Sequence, residues 1–287
     1  MRIITIFFMI FVAKHCFASL YQTPPDTIID DITINKEKVW ILKAFFEDEK
    51  KLWTSPVKLV NKEKIYWAPV LAATIFALSR DEEIYAKFKS FQAKYNWVSD
   101  ISPKITLGGD NITVLSTCAL FYFGGLAFNN EKAKQTGLLS IQALVHAGLI
   151  VTIGKYFSGR QRPSCDNGKD YWHWFPTSLN AFKEGYSQAD YDAFPSGHTI
   201  AAWSVATVIA KQYRDKKIIP VICYSIATCV GLSRITEDKH WMSDVIIGGA
   251  LGYSIGSFVV RERSDSKFSI FPVTNGEAVM IGASIKL

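Results

Sequence analysis

The chain has 287 residues, of which 49% are hydrophobic, 20% charged and 14% aromatic. Disordered and low-complexity chains are poor in aromatic residues, so this composition excludes them and indicates a large apolar core. The net charge of +6 is a weak basic bias without a long run of Lys and Arg, which argues against a nucleic-acid partner. The five cysteines form no CxxC pair, and we interpret them as small apolar residues rather than a metal site or a disulfide framework.

Residues 1–18 have the pattern of an export signal. Arg2 precedes an apolar run over residues 3–12, and small residues stand before a possible cleavage after residue 18. We interpret this segment as a signal peptide, with an uncleaved membrane anchor as the alternative. Both interpretations place the chain that follows outside the cytoplasm. Residues 19–110 are predicted to form an N-terminal helical extension.

Six uncharged windows are candidates for apolar helices. They cover residues 65–79, 111–130, 135–154, 193–210, 218–233 and 245–260. A helix needs about 20 apolar residues to cross a bilayer, so the two 20-residue windows are long enough outright and the other four are marginal. The fold expected is an all-α bundle of about six apolar helices embedded in a membrane. The alternative is a soluble exported helical protein whose core these windows form.

The basic loops indicate which windows cross. Residues 132–134, 211–217 and 261–263 carry Lys and Arg, and the positive-inside rule places such loops in the cytoplasm. All three fall on one side if the five windows from residue 111 onward span the membrane. The shortest window, at 65–79, should then not cross.

The tail from residue 264 to residue 287 differs from the rest. Two runs of alternating apolar and polar residues flank Asn275-Gly276. An Asn-Gly pair between such runs is typical of a hairpin turn. We therefore predict a short C-terminal β-hairpin at 264–287 and a core domain at 111–263.

Two charged clusters lie where apolar windows meet loops. Lys155 and Arg162 are seven residues apart, which is two helical turns, so they share a face if the helix persists. A solvated helix end would show the same pattern. Further along, Ser196 suits a helix N-cap, and the backbone N–H groups of Ser196, Gly197 and His198 at a helix start favour an anion. Ordinary capping is the alternative.

A third cluster runs from Ser233-Arg234 to Asp244. His240 and Asp244 stand four residues apart, so on a helix the carboxylate would reach the imidazole and fix its tautomer. A surface His–Asp pair is the alternative. Counting membrane crossings places all three clusters on the same side, where fixed cations and two imidazoles would surround one phosphate.

The three clusters together resemble a known family. Lys-x6-Arg-Pro, Pro-Ser-Gly-His and Ser-Arg-x5-His-x3-Asp, in this order, are similar to the signature motifs of the type 2 phosphatidic acid phosphatase and vanadium haloperoxidase superfamily. Every signature position is filled, and the match covers about residues 110–260. The resemblance is to bacterial lipid phosphate phosphatases in particular.

The resemblance implies roles for individual residues. His240 would attack phosphorus and form a phosphohistidine, Asp244 would orient it, and His198 would protonate the leaving oxygen and later activate water. The residues implied to hold the phosphoryl oxygens are Lys155, Arg162, Ser196, Gly197 and Arg234. No metal and no cofactor is expected, since cationic side chains do what magnesium does elsewhere.

The motifs do not choose among substrates. Apolar windows beside the site favour a lipid phosphate, cleaved at the periplasmic face of the bacterial inner membrane. A soluble periplasmic acid phosphatase for small phosphomonoesters is the main alternative, followed by a vanadate-dependent haloperoxidase and a non-enzymatic membrane binding protein. The aromatic segment 171–175 either rests at the membrane interface over the site or simply packs.

Overall fold

The computed structural model describes residues 64–165, 168–175 and 190–265, and two strands at 268–274 and 279–285. These residues belong to one unit, which covers residues 54–287. The predicted signal peptide at 1–18 and the extension up to residue 63 lie outside the described residues.

The described residues are mostly α-helical, as the apolar windows predicted. The helices are α1 (Lys64–Leu78), α2 (Asp81–Lys94), α3 (Trp97–Thr106), α4 (Asn111–Ala127), α5 (Glu131–Ser158), α6 (Gly197–Gln212), α7 (Ile218–Thr236) and α8 (Met242–Asp265). A 3-10 turn at Leu107–Gly109 joins α3 to α4. The mostly helical character predicted from the sequence is therefore confirmed for the described residues, while the bundle of about six apolar helices stays a prediction.

Helix α6 lies at the centre of the bundle. It packs against α4, α5, α7 and α8, and its Ile200 and Val208 are fully buried. Glycines on α8 allow a close approach to α6: a Cβ at Gly252 would lie 2.7 Å from the Ile200 carbonyl oxygen, and one at Gly256 would lie 2.6 Å from that of Ser204. Small residues at helix contacts bring backbones together in this way. The 193–210 window is thus apolar because other helices cover it.

Three described helices are long and apolar enough to cross a membrane. They are Glu131–Ser158, Ile218–Thr236 and Met242–Arg261, while Trp67–Leu78 and Asn111–Ala127 are shorter apolar helices. The outer faces of these helices expose large apolar side chains, among them Phe76, Phe123, Leu149, Val221 and Tyr253. The number of spanning helices expected from the sequence stays a prediction.

Helix α1 packs against α8. The residue that opens α2 just beyond α1, Asp81, accepts a hydrogen bond from the backbone N–H of Ser243 in the first turn of α8 at 3.1 Å. The sequence argument kept the 65–79 window out of the membrane because the basic loops then fall on one side, and the short length of the window agrees with that. The structure places this window beside a candidate span, and whether it crosses the membrane stays a prediction.

The tail contains strands β1 (Phe268–Thr274) and β2 (Val279–Ile285). They pair antiparallel, with Phe268 opposite Ile285 and Thr274 opposite Val279. Residues 275–278 lie outside the described residues, so the predicted Asn-Gly hairpin turn stays a prediction.

Candidate active site

The first motif begins at the end of α5. Lys155 lies in the last turn, and Gly159 caps the helix with φ of 50°, a left-handed conformation that glycine adopts without steric cost. Residues 160–162 then run between two other segments, 171–173 and 190–193, and form backbone hydrogen bonds to both. The chain after α5 is thereby held in place on both sides.

A buried carboxylate joins the two cations of this motif. Lys155 Nζ lies 3.1 Å from Asp192 Oδ2, and Arg162 Nε donates to Asp192 Oδ1 at 2.7 Å. The side chain of Asp192 is only 3% exposed. The expectation that Lys155 and Arg162 act together therefore has a structural basis, although the helix ends between them and Asp192 joins them instead.

The second motif opens α6 beside Lys155. Ser196 is the N-cap residue, but its hydroxyl makes no capping bond and lies 2.8 Å from Thr199 Oγ1. Its backbone N–H donates to the Asp244 carbonyl oxygen at 3.3 Å, which joins the second motif to the third. A Cβ at Gly197 would lie 4.0 Å from Lys155 Nζ, so the start of α6 faces that ammonium group.

The nucleophile candidate of the third motif, His240, lies in the loop between α7 and α8 and is 2% exposed. Its Nδ1 lies 2.6 Å from the Ala193 carbonyl oxygen and 3.8 Å from Asp244 Oδ2. Because a carbonyl only accepts, Nδ1 carries the proton and Nε2 carries the lone pair. The sequence predicted that Asp244 fixes this tautomer. Since His240 precedes α8, helical spacing does not hold, and Asp244 Oδ2 instead accepts from the Trp241 N–H at 2.8 Å.

Arg234, near the end of α7, is 6% exposed. Its Nη1 pairs with Glu237 and lies 3.2 Å from Thr106 Oγ1. Its Nε is buried and has no hydrogen-bond partner among the described residues. A buried donor without an acceptor costs about 1–3 kcal/mol, so Nε is well suited to an anion that enters the site.

The electrostatics connect the three motifs. The pKa of His240 is lowered well below its ordinary value by burial first, and then by the charges of Arg162, Lys155 and Arg234. The pKa of His198 is lowered to about 3, again mainly by burial and then by Arg234 and His240. Two imidazoles and three cations therefore act on one another, which requires them to lie close together.

The sequence reasoning missed the group behind the nucleophile. Arg160 is fully buried, and its five N–H donors meet three carboxylates and a hydroxyl. Nε and Nη2 donate to Asp170 at 2.9 and 2.7 Å, and Nη2 also donates to Asp81 at 2.7 Å. Nη1 donates to Ser243 Oγ at 2.7 Å and to Asp244 Oδ1. Arg160 thus orients Asp244.

Two indole rings pack on the same guanidinium. Arg160 lies 4.5 Å from the ring centre of Trp172 and 5.3 Å from that of Trp241. In the sequence Arg160 looked like one more cation at a solvated helix end. Its position between Lys155 and Arg162 indicated a place in the site, but its acidic partners come from other segments of the chain and could not be predicted from this motif.

The aromatic segment 171–175 packs in part, which is one of the two interpretations that the sequence left open, whereas its position at the membrane interface stays a prediction. Trp172 packs on Arg160 and on Trp174, whose ring centre lies 4.8 Å away. Trp174 is nevertheless 60% exposed, and Phe175 is 52% exposed beside Phe157 at the end of α5. His173 packs edge-on against Tyr191.

Comparison with known proteins assigns the family. The PAP2 superfamily matches residues 136–267, which include all three motifs. Residues 136–267 thus form a PAP2 superfamily domain. This PAP2 chain is 27% identical over 232 residues to a lipid A 1-phosphatase of Porphyromonas gingivalis, covering 75% of this chain and 44% of that protein. It is 24% identical over 221 residues to a lipid A 1-phosphatase of Rhizobium etli, covering 72% of this chain and 90% of that protein.

The fold has a solved relative. A transmembrane PAP2 type phosphatidylglycerolphosphate phosphatase from Bacillus subtilis superimposes with a TM-score of 0.52 at 22% identity, covering 75% of this chain and 100% of that chain. The PAP2 domain and the lipid phosphatase relatives make this chain a phosphoric ester hydrolase of the PAP2 type, and its three long apolar helices make it an integral membrane protein. The family and the enzyme class inferred from the motifs are confirmed.

Proposed function

We propose that this PAP2 protein is a metal-independent phosphatase that hydrolyses a lipid phosphomonoester or diphosphate through a phosphohistidine at His240. One observation carries the proposal. The imidazole of His240 is buried and neutral, and its Nδ1 is held by the Ala193 carbonyl oxygen at 2.6 Å. Its Nε2 lone pair is therefore available for attack among three cations.

The first chemical step forms the phosphoenzyme. Nε2 of His240 attacks phosphorus, a P–N bond forms, and the P–O bond to the lipid breaks. His198 transfers a proton to the leaving oxygen. The positions that would hold the phosphoryl oxygens are Lys155, Arg162, Ser196, Gly197 and Arg234.

The second step releases phosphate. A water oxygen attacks phosphorus, His198 accepts the water proton, and the P–N bond breaks to return neutral His240 and inorganic phosphate. The low pKa of His198 describes the site without an anion. A phosphate dianion beside the imidazole favours the protonated form, so substrate itself would supply the condition that His198 needs to act as an acid.

Several features favour a lipid as substrate. Helices α5 and α7, which expose large apolar side chains, carry Lys155 and Arg234 at their ends. A phosphate at the membrane surface could therefore reach the site while its acyl chains stay in the bilayer. The two relatives named as lipid A 1-phosphatases place phosphorylated glycolipids first among the candidates. The membrane location disfavours the soluble alternative.

The charge distribution supports a site on the periplasmic side. The site residues come from one end of the bundle, namely the C-terminal ends of α5 and α7 and the N-terminal ends of α6 and α8. The opposite end carries the basic loops, and there Lys132 Nζ lies 3.0 Å from Asp215 Oδ1. The positive-inside rule would place that end in the cytoplasm.

The experiment measures phosphate release from detergent-dispersed lipid phosphates and diphosphates and from soluble phosphomonoesters, with and without EDTA. We expect the lipids to be preferred and EDTA to have no effect. His240→Ala should abolish release and the acid-labile phosphoenzyme, whereas His173→Ala, which removes a neighbouring imidazole with no assigned role, should keep both. Full activity of His240→Ala would refute the phosphohistidine, and loss of activity in EDTA would refute metal independence.

A further inference from the structure

Asp81, the first residue of α2, is buried behind the nucleophile although it lies outside the region that matches the superfamily. The match begins at residue 136, and Asp81 is 2% exposed. Its Oδ1 accepts from the Ser243 N–H at 3.1 Å, and its Oδ2 accepts from Ser243 Oγ and from Arg160 Nη2 at 2.7 Å. Each carboxylate oxygen thus has a partner in the network that surrounds Asp244.

These contacts make Asp81 a cap for the N-terminal end of α8. Helix α8 begins at Met242, so the N–H of Ser243 belongs to the first turn, where no intrahelical acceptor exists. A carboxylate there satisfies the donor and interacts favourably with the helix dipole. The next residue, Asp244, also takes part through Arg160.

The first turn of α8 determines where the nucleophile stands. The Trp241 N–H donates to Asp244 Oδ2, and the Asp244 carbonyl oxygen accepts from the Ser196 N–H. His240 is therefore held from both sides, by the loop that enters α8 and by the Ala193 carbonyl oxygen. A shift of the first turn would move the imidazole relative to the bound phosphate.

We propose that Asp81 is a positioning residue that aligns His240 for attack by capping α8 and holding Arg160. This inference rests on the proposed function, because it assigns a purpose to the alignment of that nucleophile. It extends the catalytic unit beyond the three motifs to the segment that precedes them. Asp81 itself touches no reacting atom.

Helix α2 has other attachments, so the charge of Asp81 can be removed without detaching the helix. Lys89 Nζ lies 2.9 Å from Asp238 Oδ2, and Gln92 Nε2 donates to the Thr236 carbonyl oxygen at 2.6 Å. The Tyr85 ring packs edge-on against Trp241, with ring centres 5.7 Å apart. Asp81→Asn keeps the size of the side chain and an oxygen for Ser243, and loses the ionic contact with Arg160.

The test compares Asp81→Asn with Glu83→Gln in the full chain. Glu83 lies two residues further along α2 and pairs only with exposed Arg80 and Lys87 among the contacts seen. We expect kcat of Asp81→Asn to fall about 10- to 100-fold, the range for losing a partner that orients a reactive group or for a misplacement of about 1 Å. KM and the inhibition constant of inorganic phosphate should stay within about two-fold, and Glu83→Gln should match the wild type.

The readouts separate this inference from a structural role and from the proposed function. An unchanged kcat in Asp81→Asn would overturn the inference, and so would equal losses in kcat and phosphate affinity with a lowered melting temperature. If Asp81→Asn does not fold, Ser243→Ala removes one contact to Asp81 and one to Arg160, and an unchanged kcat there would overturn the inference. Absence of phosphate release by the wild type would refute the proposed function instead.

Discussion

Gly154 allows the first two motifs to meet. It lies on α5 directly before Lys155, and a Cβ at this position would come within 2.6 Å of Pro195 Cδ. Ordinary van der Waals contact begins at 3.4 Å, so Gly154→Ala requires a displacement of about 0.8 Å, the difference between these distances. The atoms that must separate belong to the two segments that carry Lys155 and the Ser196 loop.

This displacement sets the expected magnitudes. A misplacement of about 1 Å at a reacting centre can cost about 100-fold in rate, so kcat/KM should fall 10- to 100-fold. Overpacking costs about 1–3 kcal/mol, and the better helix propensity of alanine returns up to about 1 kcal/mol. The free energy of unfolding should therefore fall by at most about 3 kcal/mol, which leaves a folded protein with a damaged site.

The assay combines phosphate release with thermal unfolding in the same detergent. Gly148→Ala is the matched control, because it lies on the same helix and a Cβ there meets nothing within 4 Å. We expect this control to keep full activity and stability. If Gly154→Ala has activity within two-fold of Gly148→Ala, the close approach of α5 to the loop does not position the site.

Three further predictions concern charge. Arg160→Lys keeps the charge but loses the planar set of donors, so the free energy of unfolding should fall by about 3–5 kcal/mol. The control Arg80→Lys, at an exposed position, should leave the unfolding curve unchanged. Equal unfolding curves for the two variants would contradict this prediction. Asp192→Asn removes a negative charge that competes with phosphate for Lys155 and Arg162, so the inhibition constant of inorganic phosphate should fall about ten-fold. A rise in this constant would show instead that Asp192 holds the two cations in place. The low pKa of His240 keeps its imidazole neutral across the assay range. The pKa of His198 is about 3, so the proton that His198 transfers must arrive with the substrate. Above the second ionisation of the phosphate, near pH 6, kcat/KM should therefore fall about ten-fold per pH unit, and a flat profile from pH 5 to pH 8 would contradict the acid role.

The sequence by itself determined the features that depend on local chemistry. Apolar windows predicted the helices because a helix buried in a protein or a bilayer needs uninterrupted apolar residues. Three motifs predicted the family and the enzyme class because phosphoryl transfer needs fixed cations near a nucleophile, and these residue types stand close together within each motif. Gly159 ends α5 because it adopts a left-handed backbone conformation, which depends on this glycine alone and not on distant contacts.

Only the tertiary structure decided which groups surround the nucleophile. The partner of His240 Nδ1 is a backbone carbonyl, a group that every residue carries, so no sequence signal marks Ala193. The five donors of Arg160 bind acceptors on segments that meet only after folding. One of these acceptors, Asp81, lies on a helix that the sequence analysis assigned to an extension outside the core. The window at 193–210 became the central helix and not an outer one, because burial depends on which helices pack around it. Such contacts depend on the packing of the whole bundle and not on the spacing of residues along the chain.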